Sequence, residues 1–139
     1  MKHTIGIVVS QTHQEITDKM LELAELTAKN LDVTVKKVIK VPGSFDIPLA
    51  VKLMLEKEDV DGIVTLGVII QGETDHDGVI AYSVAEKLSE LSLLYNKPVV
   101  LGINGPKMSH EQAVARIKRA KHVTEACVRL IQALQHNVS

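Results

Sequence analysis

The chain has 139 residues, of which 45% are hydrophobic, and its 16 basic and 17 acidic side chains give a net charge of −1. This length and composition suit one domain with its own core, and the balanced charge argues against binding to nucleic acid or to an anionic membrane. The single cysteine, Cys127, excludes an internal disulfide and a zinc site built from cysteines, and no apolar segment is long enough to span a membrane. We therefore expect one cytoplasmic domain over residues 1–139.

Four apolar segments alternate along the chain with four segments whose apolar residues recur at helical spacing. Strands are predicted at Thr4–Val9, Val33–Val41, Gly62–Ile70 and Val99–Ile103, and helices at Glu15–Asn30, Ile47–Lys57, Gly78–Tyr95 and Glu111–Leu134. This alternation predicts a parallel sheet with right-handed crossovers, hence a three-layer α/β/α sandwich. Four strands and four helices match a flavodoxin-like arrangement, although the pattern alone does not give the strand order.

Local signals add detail to three of these elements. Gly62–Ile70 is apolar throughout, which is typical of a central parallel strand covered on both faces. Thr12 with Glu15, and likewise Ser109 with Gln112, match the capping box that precedes a helix. In the third helix the spacing predicts a buried stripe made of Ile80, Val84, Leu88, Leu91 and Leu94.

The loops after the four predicted strands contain polar and glycine residues suited to a binding site. These loops are Ser10–Gln14, Pro42–Asp46, Gln71–His76 and Asn104–Met108. Because parallel strands end at the same edge of a sheet, the loops are expected to form one rim, which is where ligands bind in open parallel sheets. A helix N-terminus at this edge can bind an anion, and His76, at the start of the third helix, is the residue best suited to transfer protons near neutral pH.

Three segments together resemble the 6,7-dimethyl-8-ribityllumazine synthase family. They are Val41-Pro42-Gly43-Ser44-Phe45-Asp46-Ile47-Pro48, Gly72-Glu73-Thr74-Asp75-His76-Asp77 and Gln112-Ala113-Val114-Ala115-Arg116. The resemblance spans almost the whole chain and is closest to the archaeal form of the family. It implies condensation of 5-amino-6-(D-ribitylamino)uracil with 3,4-dihydroxy-2-butanone 4-phosphate in riboflavin biosynthesis, with release of phosphate and water. It also implies that the reaction needs no metal and no organic cofactor.

The resemblance assigns roles to individual residues. His76 matches the family's proton-transfer histidine. The phosphate-binding positions are Gly72, Glu73, Thr74 and Arg116, and the positions that bind the amino-uracil and its ribityl chain are Thr12, His13, Ser44, Phe45, Asp46, Ile69, Ile70 and Leu101. Simpler interpretations exist for several of them. His76 and Thr12 could merely cap helices, Phe45 could pack in the core, and Arg116 could be an ordinary exposed charge.

The chain departs from the family pattern at several of these positions. Many relatives have an aromatic residue followed by asparagine where this chain has Thr12 and His13, and a phenylalanine in place of Leu101. Stacking of a base on an aromatic ring contributes about 1–3 kcal/mol to nucleic-acid binding. We therefore expect weaker affinity for the amino-uracil unless the His13 ring takes the place of the missing aromatic residue. Where bacterial relatives have a lysine in the last helix, this chain has His122 beside Lys121, and the choice between these two residues stays open.

The predicted last helix carries a wide apolar stripe, and two interpretations of it are open: the stripe belongs entirely to the domain's own core, or part of it is exposed and favours association with other chains. The stripe consists of Ala113, Val114, Ile117, Ala120, Val123, Ala126, Cys127, Leu130, Ile131 and Leu134. The family resemblance implies a homopentamer whose active sites lie between neighbouring subunits, and in some members an icosahedral shell of pentamers. A free pentamer and a shell are not distinguished by the sequence.

Three other interpretations are open. An archaeal riboflavin synthase would have a related fold but lacks the Gly-Glu-Thr-x-His pattern. A flavodoxin-like binding or receiver module would need acidic residues after the first strand, where this chain has Ser10 and Gln11, although Lys107 does follow the fourth strand. A flavin carrier would need a first loop richer in serine and threonine than Ser10-Gln11-Thr12.

Overall fold

A computed structural model describes residues 2–71 and 76–138. Within these residues the sheet has four parallel strands in the order β2-β1-β3-β4, which is the flavodoxin-like order and confirms the predicted three-layer α/β/α class. The strands are β1 (Thr4–Ser10), β2 (Thr34–Val41), β3 (Gly62–Val68) and β4 (Val99–Asn104). The helices are α1 (Gln14–Asn30), α2 (Ile47–Lys57), α3 (Asp77–Tyr95), α4 (His110–Ala115) and α5 (Arg119–Val138), and a short 3-10 turn covers Ser44–Asp46.

The core has two halves because successive residues of a strand point to opposite faces of the sheet. Ile7 of β1 packs in one half with residues of α1 and α5, and the next residue, Val8, packs in the other half with residues of α2 and α3. Every residue of β3 is buried, which confirms that it is a central strand covered on both faces. The strand order reverses between β1 and β3, so the crevice between their carboxyl ends is where a ligand is expected in this fold.

The predicted single helix Glu111–Leu134 is wrong, because α4 ends at Ala115 and α5 begins at Arg119. Between them the backbone makes tighter bonds, from Arg119 N–H to the Arg116 carbonyl and from Ala120 N–H to the Ile117 carbonyl, each at 3.0 Å. These i→i+3 bonds turn the chain before the second helix starts.

One of the two predicted capping boxes is confirmed. At the start of α4 the Gln112 N–H donates to the Ser109 hydroxyl at 3.1 Å, and the Ser109 N–H donates to the Gln112 side chain at 2.9 Å. The box at Thr12 is wrong, because α1 begins after His13, which has a left-handed backbone (φ 56°) and makes no side-chain cap. The Thr12 hydroxyl instead donates to the Pro42 carbonyl at 2.9 Å, a contact across 30 residues.

The end of β3 and the exposure of Leu94 also differ from the prediction. β3 ends at Val68 instead of Ile70, so Ile69 and Ile70 belong to the loop at the carboxyl edge. In α3, Leu94 is 68% exposed and does not extend the buried stripe. The stripe continues from Leu91 to Tyr95, one helical turn further on, and both pack partly buried against the core.

None of the helices in the described ranges is long and apolar enough to cross a membrane.

Candidate active site at the carboxyl edge of the sheet

A cavity of roughly 180 Å³ lies at the carboxyl edge of the sheet, beside the reversal of strand order. It is lined by Thr12, Gly43, Ser44, Phe45, Val68, Ile69, Ile70, Asp77 and Ile80. Five of these are substrate-binding residues predicted from the sequence: Thr12, Ser44, Phe45, Ile69 and Ile70. A larger cavity of roughly 730 Å³ lies near the amino end of β4, but its lining includes none of the predicted site residues. The smaller cavity is therefore the candidate active site.

The turn after β2 forms one wall of this cavity and is held by hydrogen bonds within the rim. The Asp46 carboxylate accepts from the Gly43 N–H at 3.0 Å, while the Thr12 hydroxyl donates to the Pro42 carbonyl. The Asp46 carboxylate thus stabilises the turn. Phe45, which lies in this turn, is 65% exposed, so its interpretation as a core residue is wrong.

Two buried hydroxyls, one at the end of β1 and one in the turn after β2, share a neighbour that the sequence analysis did not predict. Ser10 and Ser44 are both buried, and among the described residues neither hydroxyl has a hydrogen-bond partner. Both lie against Gly67 of β3, where an added Cβ would be 2.9 Å from Ser44 Oγ and 3.0 Å from Ser10 Oγ. A glycine inside a strand often marks such a close approach, so Gly67 was the signal that sequence reasoning missed.

His76 lies exposed at the N-cap position of α3, and its side chain makes no capping hydrogen bond. Its backbone carbonyl accepts from the Ile80 N–H at 2.9 Å, as the first bond of the helix. The next residue, Asp77, accepts from the Lys107 N–H at 3.0 Å and so joins α3 to the loop after β4. The predicted phosphate residues Gly72, Glu73 and Thr74 precede this helix and lie outside the described residues.

The remaining predicted site residues are not brought to the cavity within one chain. Leu101 is 47% exposed on the edge strand β4, and Arg116 is half-buried at the end of α4. Lys121 and His122 are both exposed on α5. None of these four residues lines the cavity.

His13 also lies outside the cavity lining and belongs to a cluster that joins the first loop to α4. Its ring meets the His110 ring edge to face, with centroids 6.3 Å apart. Glu15 Oε1 lies 3.4 Å from His110 Nε2 and 3.9 Å from His13 Nδ1. The pKa of Glu15 is lowered, first by a hydrogen bond from its own backbone and then by the two histidines. The cluster therefore holds a carboxylate in its charged form beside the first loop.

Known proteins of one family are similar to this chain along nearly its whole length. A family model described as 6,7-dimethyl-8-ribityllumazine synthase matches residues 2–135. The chain is 51% identical over 133 residues to the 6,7-dimethyl-8-ribityllumazine synthase of Picrophilus torridus, covering 96% of this chain and 98% of the relative. It is 46% identical over 131 residues to the protein of the same name from Methanocaldococcus jannaschii, covering 94% and 93%. It is 50% identical over 129 residues to that of Saccharolobus solfataricus, covering 92% and 84%.

Proposed function

Because the chain belongs to the 6,7-dimethyl-8-ribityllumazine synthase family, we propose that it catalyses the reaction for which its relatives are named. In this reaction 5-amino-6-(D-ribitylamino)uracil condenses with 3,4-dihydroxy-2-butanone 4-phosphate, with loss of phosphate and water, as a step of riboflavin biosynthesis. The observation that carries the proposal is the cavity at the carboxyl edge. The turn Ser44–Asp46, the end of β3 and the start of α3 meet there, and two of these belong to the segments that resemble the family.

We assign the cavity itself to the amino-uracil. Ser44 and Phe45 form one wall, Ile69 and Ile70 form another, and Thr12 lies at the mouth. Apolar side chains can cover the faces of the pyrimidine, while backbone groups of the turn can accept from the ribityl hydroxyls. His13 and Asp46 support this pocket through the first loop and the turn, and they do not line it.

A second surface is needed to complete the site. The cavity of roughly 180 Å³ is smaller than the ~300–1,000 Å³ typical of small-molecule sites. Leu101 and Arg116 do not reach it within one chain, although Leu101 lies exposed on an edge strand. We propose that Leu101, Arg116 and either Lys121 or His122 of a neighbouring subunit close the cavity in a homopentamer.

The phosphate and proton steps are assigned to groups around the start of α3. A helix N-terminus favours an anion, and the proposed phosphate loop of Gly72, Glu73 and Thr74 directly precedes it. The Arg116 guanidinium can add two charge-assisted hydrogen bonds to the phosphate. His76 is assigned the proton transfers that accompany imine formation, phosphate loss and ring closure. We propose no metal and no organic cofactor for these steps.

The proposal treats residues 1–139 as one lumazine synthase domain that works in the cytoplasm, as a pentamer or as a shell of pentamers. Exposed apolar residues on α4 and α5 support association: Val114 is 45% exposed, Leu130 is 42% and Leu134 is 40%. Light scattering coupled to size exclusion distinguishes monomer, pentamer and shell. A monomer with full activity at the assay concentration would contradict the shared site.

The activity is tested by mixing the purified protein with both substrates and following the fluorescence of the lumazine product together with the release of inorganic phosphate. We expect both signals to rise in equal amounts, and neither to rise when one substrate is left out. Formation of riboflavin from lumazine would instead indicate a riboflavin synthase. Absence of turnover with tight binding of the amino-uracil would indicate a non-catalytic binding module.

A further inference from the structure

The turn between α4 and α5 occurs where the local sequence does not require one. Residues 116–119 are Arg-Ile-Lys-Arg, which contain no glycine or proline and include three strong helix formers. The backbone nevertheless leaves the α-helical pattern between Arg116 and Arg119. Because local propensity favours a continuous helix, the cause of the turn must lie in a tertiary contact.

Asn104 makes a tertiary contact at this turn. It is the last residue of β4 and is only 3% exposed, and its side-chain amide donates to the Arg116 carbonyl at 3.2 Å. A buried amide donor needs a partner, and a carbonyl at the end of a helix is an acceptor without an intrahelical partner of its own. The Arg116 carbonyl therefore accepts from Asn104 and from the Arg119 N–H, where a continuous helix would pair it with Ala120.

The same asparagine is also joined to the wall of the cavity. Its backbone carbonyl accepts from the Ile69 N–H at 2.8 Å, and Ile69 lines the cavity. Asn104 thus bonds both to Arg116, which is proposed to serve a neighbouring subunit's cavity, and to the wall of its own chain's cavity. Substituting its side chain removes the bond to Arg116 and leaves the backbone bond to Ile69 in place.

We propose that the Asn104 side chain sets the turn between α4 and α5 and is a positioning residue for the phosphate-binding arginine. This inference rests on the role of Arg116 in the proposed function. Without the amide donor, residues 116–119 follow their own propensity and extend the helix, which rotates the Arg116 side chain away from its place. The affinity for the phosphate-bearing substrate then falls, while the amino-uracil pocket keeps its shape.

The test uses Asn104→Leu, which keeps a similar side-chain size without a donor, and Asn104→Ala in case the leucine does not pack. Asn137→Leu is the matched control, because it removes an amide-to-carbonyl bond of 2.7 Å from the exposed end of α5. In the Asn104 variants we expect slower hydrogen exchange at the amides of residues 117–121. We expect the KM for the butanone phosphate to rise by roughly three- to tenfold, the effect of one ordinary hydrogen bond. The KM for the amino-uracil should change less than twofold.

The outcomes separate this inference from the proposed function. Unchanged or faster exchange at residues 117–121 would show that Asn104 does not set the turn. Slower exchange with equal KM changes for both substrates would overturn the positioning role. If Arg116→Ala also leaves the KM for the butanone phosphate unchanged, the assignment of Arg116 fails. The positioning role then falls with it, while slower exchange would still establish Asn104 as the cause of the turn.

Discussion

The carboxylate of Asp77 accepts a hydrogen bond from the backbone N–H of Lys107 at 3.0 Å. Lys107 has a left-handed backbone (φ 58°), a conformation that is uncommon for residues other than glycine. The bond therefore stabilises a strained turn after β4 and fixes the first turn of α3 against it. His76 immediately precedes Asp77, so this bond fixes the start of the helix next to the proposed proton-transfer residue.

Replacing Asp77 tests this link. We expect Asp77→Ala to lower kcat several-fold and to reduce the free energy of unfolding by about 1 kcal/mol, because the Lys107 N–H loses its acceptor. Asp77→Asn is the matched variant, since its amide oxygen can still accept the same bond. Steady-state kinetics and denaturant unfolding measure both effects. Equal losses in the two variants would show that the hydrogen bond is not what positions His76.

His76→Ala is expected to slow lumazine formation by about 10²-fold, the usual contribution of a general acid or base. The side chain is exposed, so the free energy of unfolding should change by no more than about 0.5 kcal/mol. His136→Ala, an exposed histidine in the last turn of α5, is the control and should keep full activity. The comparison needs saturating substrates with chemistry limiting the rate, and an unchanged turnover there would remove His76 from the mechanism.

Arg116→Ala is expected to weaken use of the butanone phosphate by roughly tenfold or more, because hydrogen bonds to charged groups contribute about 1.5–3 kcal/mol. The pyrimidine has no group that matches a bidentate guanidinium, so binding of the amino-uracil should change little. Arg129→Ala removes an exposed arginine from α5 and serves as the control. Direct titration with each substrate decides the matter, and comparable losses for both would count against a phosphate role.

Gly67→Ala tests the two buried hydroxyls of Ser10 and Ser44. The new Cβ would lie 2.9 Å from Ser44 Oγ and 3.0 Å from Ser10 Oγ, which forces Ser44 and its turn to shift. We expect about 1–3 kcal/mol of destabilisation and a raised KM for the amino-uracil. In the control Gly78→Ala the nearest atom is 3.7 Å away, so no such shift is required. An unchanged KM for the amino-uracil in Gly67→Ala would show that the position of the two hydroxyls does not affect the pocket.

Cys127 gives a prediction on the pH dependence of stability. Burial raises the pKa of its thiol from 9.0 to about 12. The unfolded chain therefore loses this proton at a lower pH than the folded chain, so the thiol lowers the free energy of unfolding between pH 9 and about 12 and has no effect below. Denaturant unfolding of Cys127→Ala should therefore show a smaller decline in the free energy of unfolding over this pH range.

The native Cys127 thiol should also resist alkylation at pH 8 until denaturant is added, and rapid labelling of the folded protein would contradict its burial.

Much of the architecture followed from periodicity alone. The alternation of apolar strands with amphipathic helices predicted a parallel sheet, and β3 is buried throughout as its composition indicated. Because parallel strands end at one edge, the same pattern predicted that the loops near Thr12, Ser44 and Ile69 would meet, and they line one cavity. The Ser109 capping box was readable because its two bonds join residues only three apart.

The features that the sequence did not reveal depend on contacts between distant residues. The Thr12 hydroxyl donates a hydrogen bond to the Pro42 carbonyl, 30 residues away, so it does not cap α1. Ser10 and Ser44 both lie against Gly67 only after β1, β2 and β3 have been aligned. Patterns in a single segment record its propensity and its burial, but they contain no information about which distant donor will compete for a given backbone group.

The sequence by itself determined the alternating order of strands and helices and the edge of the sheet at which a site is expected, because apolar spacing dictates which surface is buried and parallel strands end at one edge. Only the tertiary structure decided where the last helix breaks. Residues 116–119 favour a helix locally, yet a buried amide from Asn104 must be satisfied, and the Arg116 carbonyl is its acceptor. Leaving that amide unpaired in the core costs about 1–3 kcal/mol, more than the propensity of a few residues contributes.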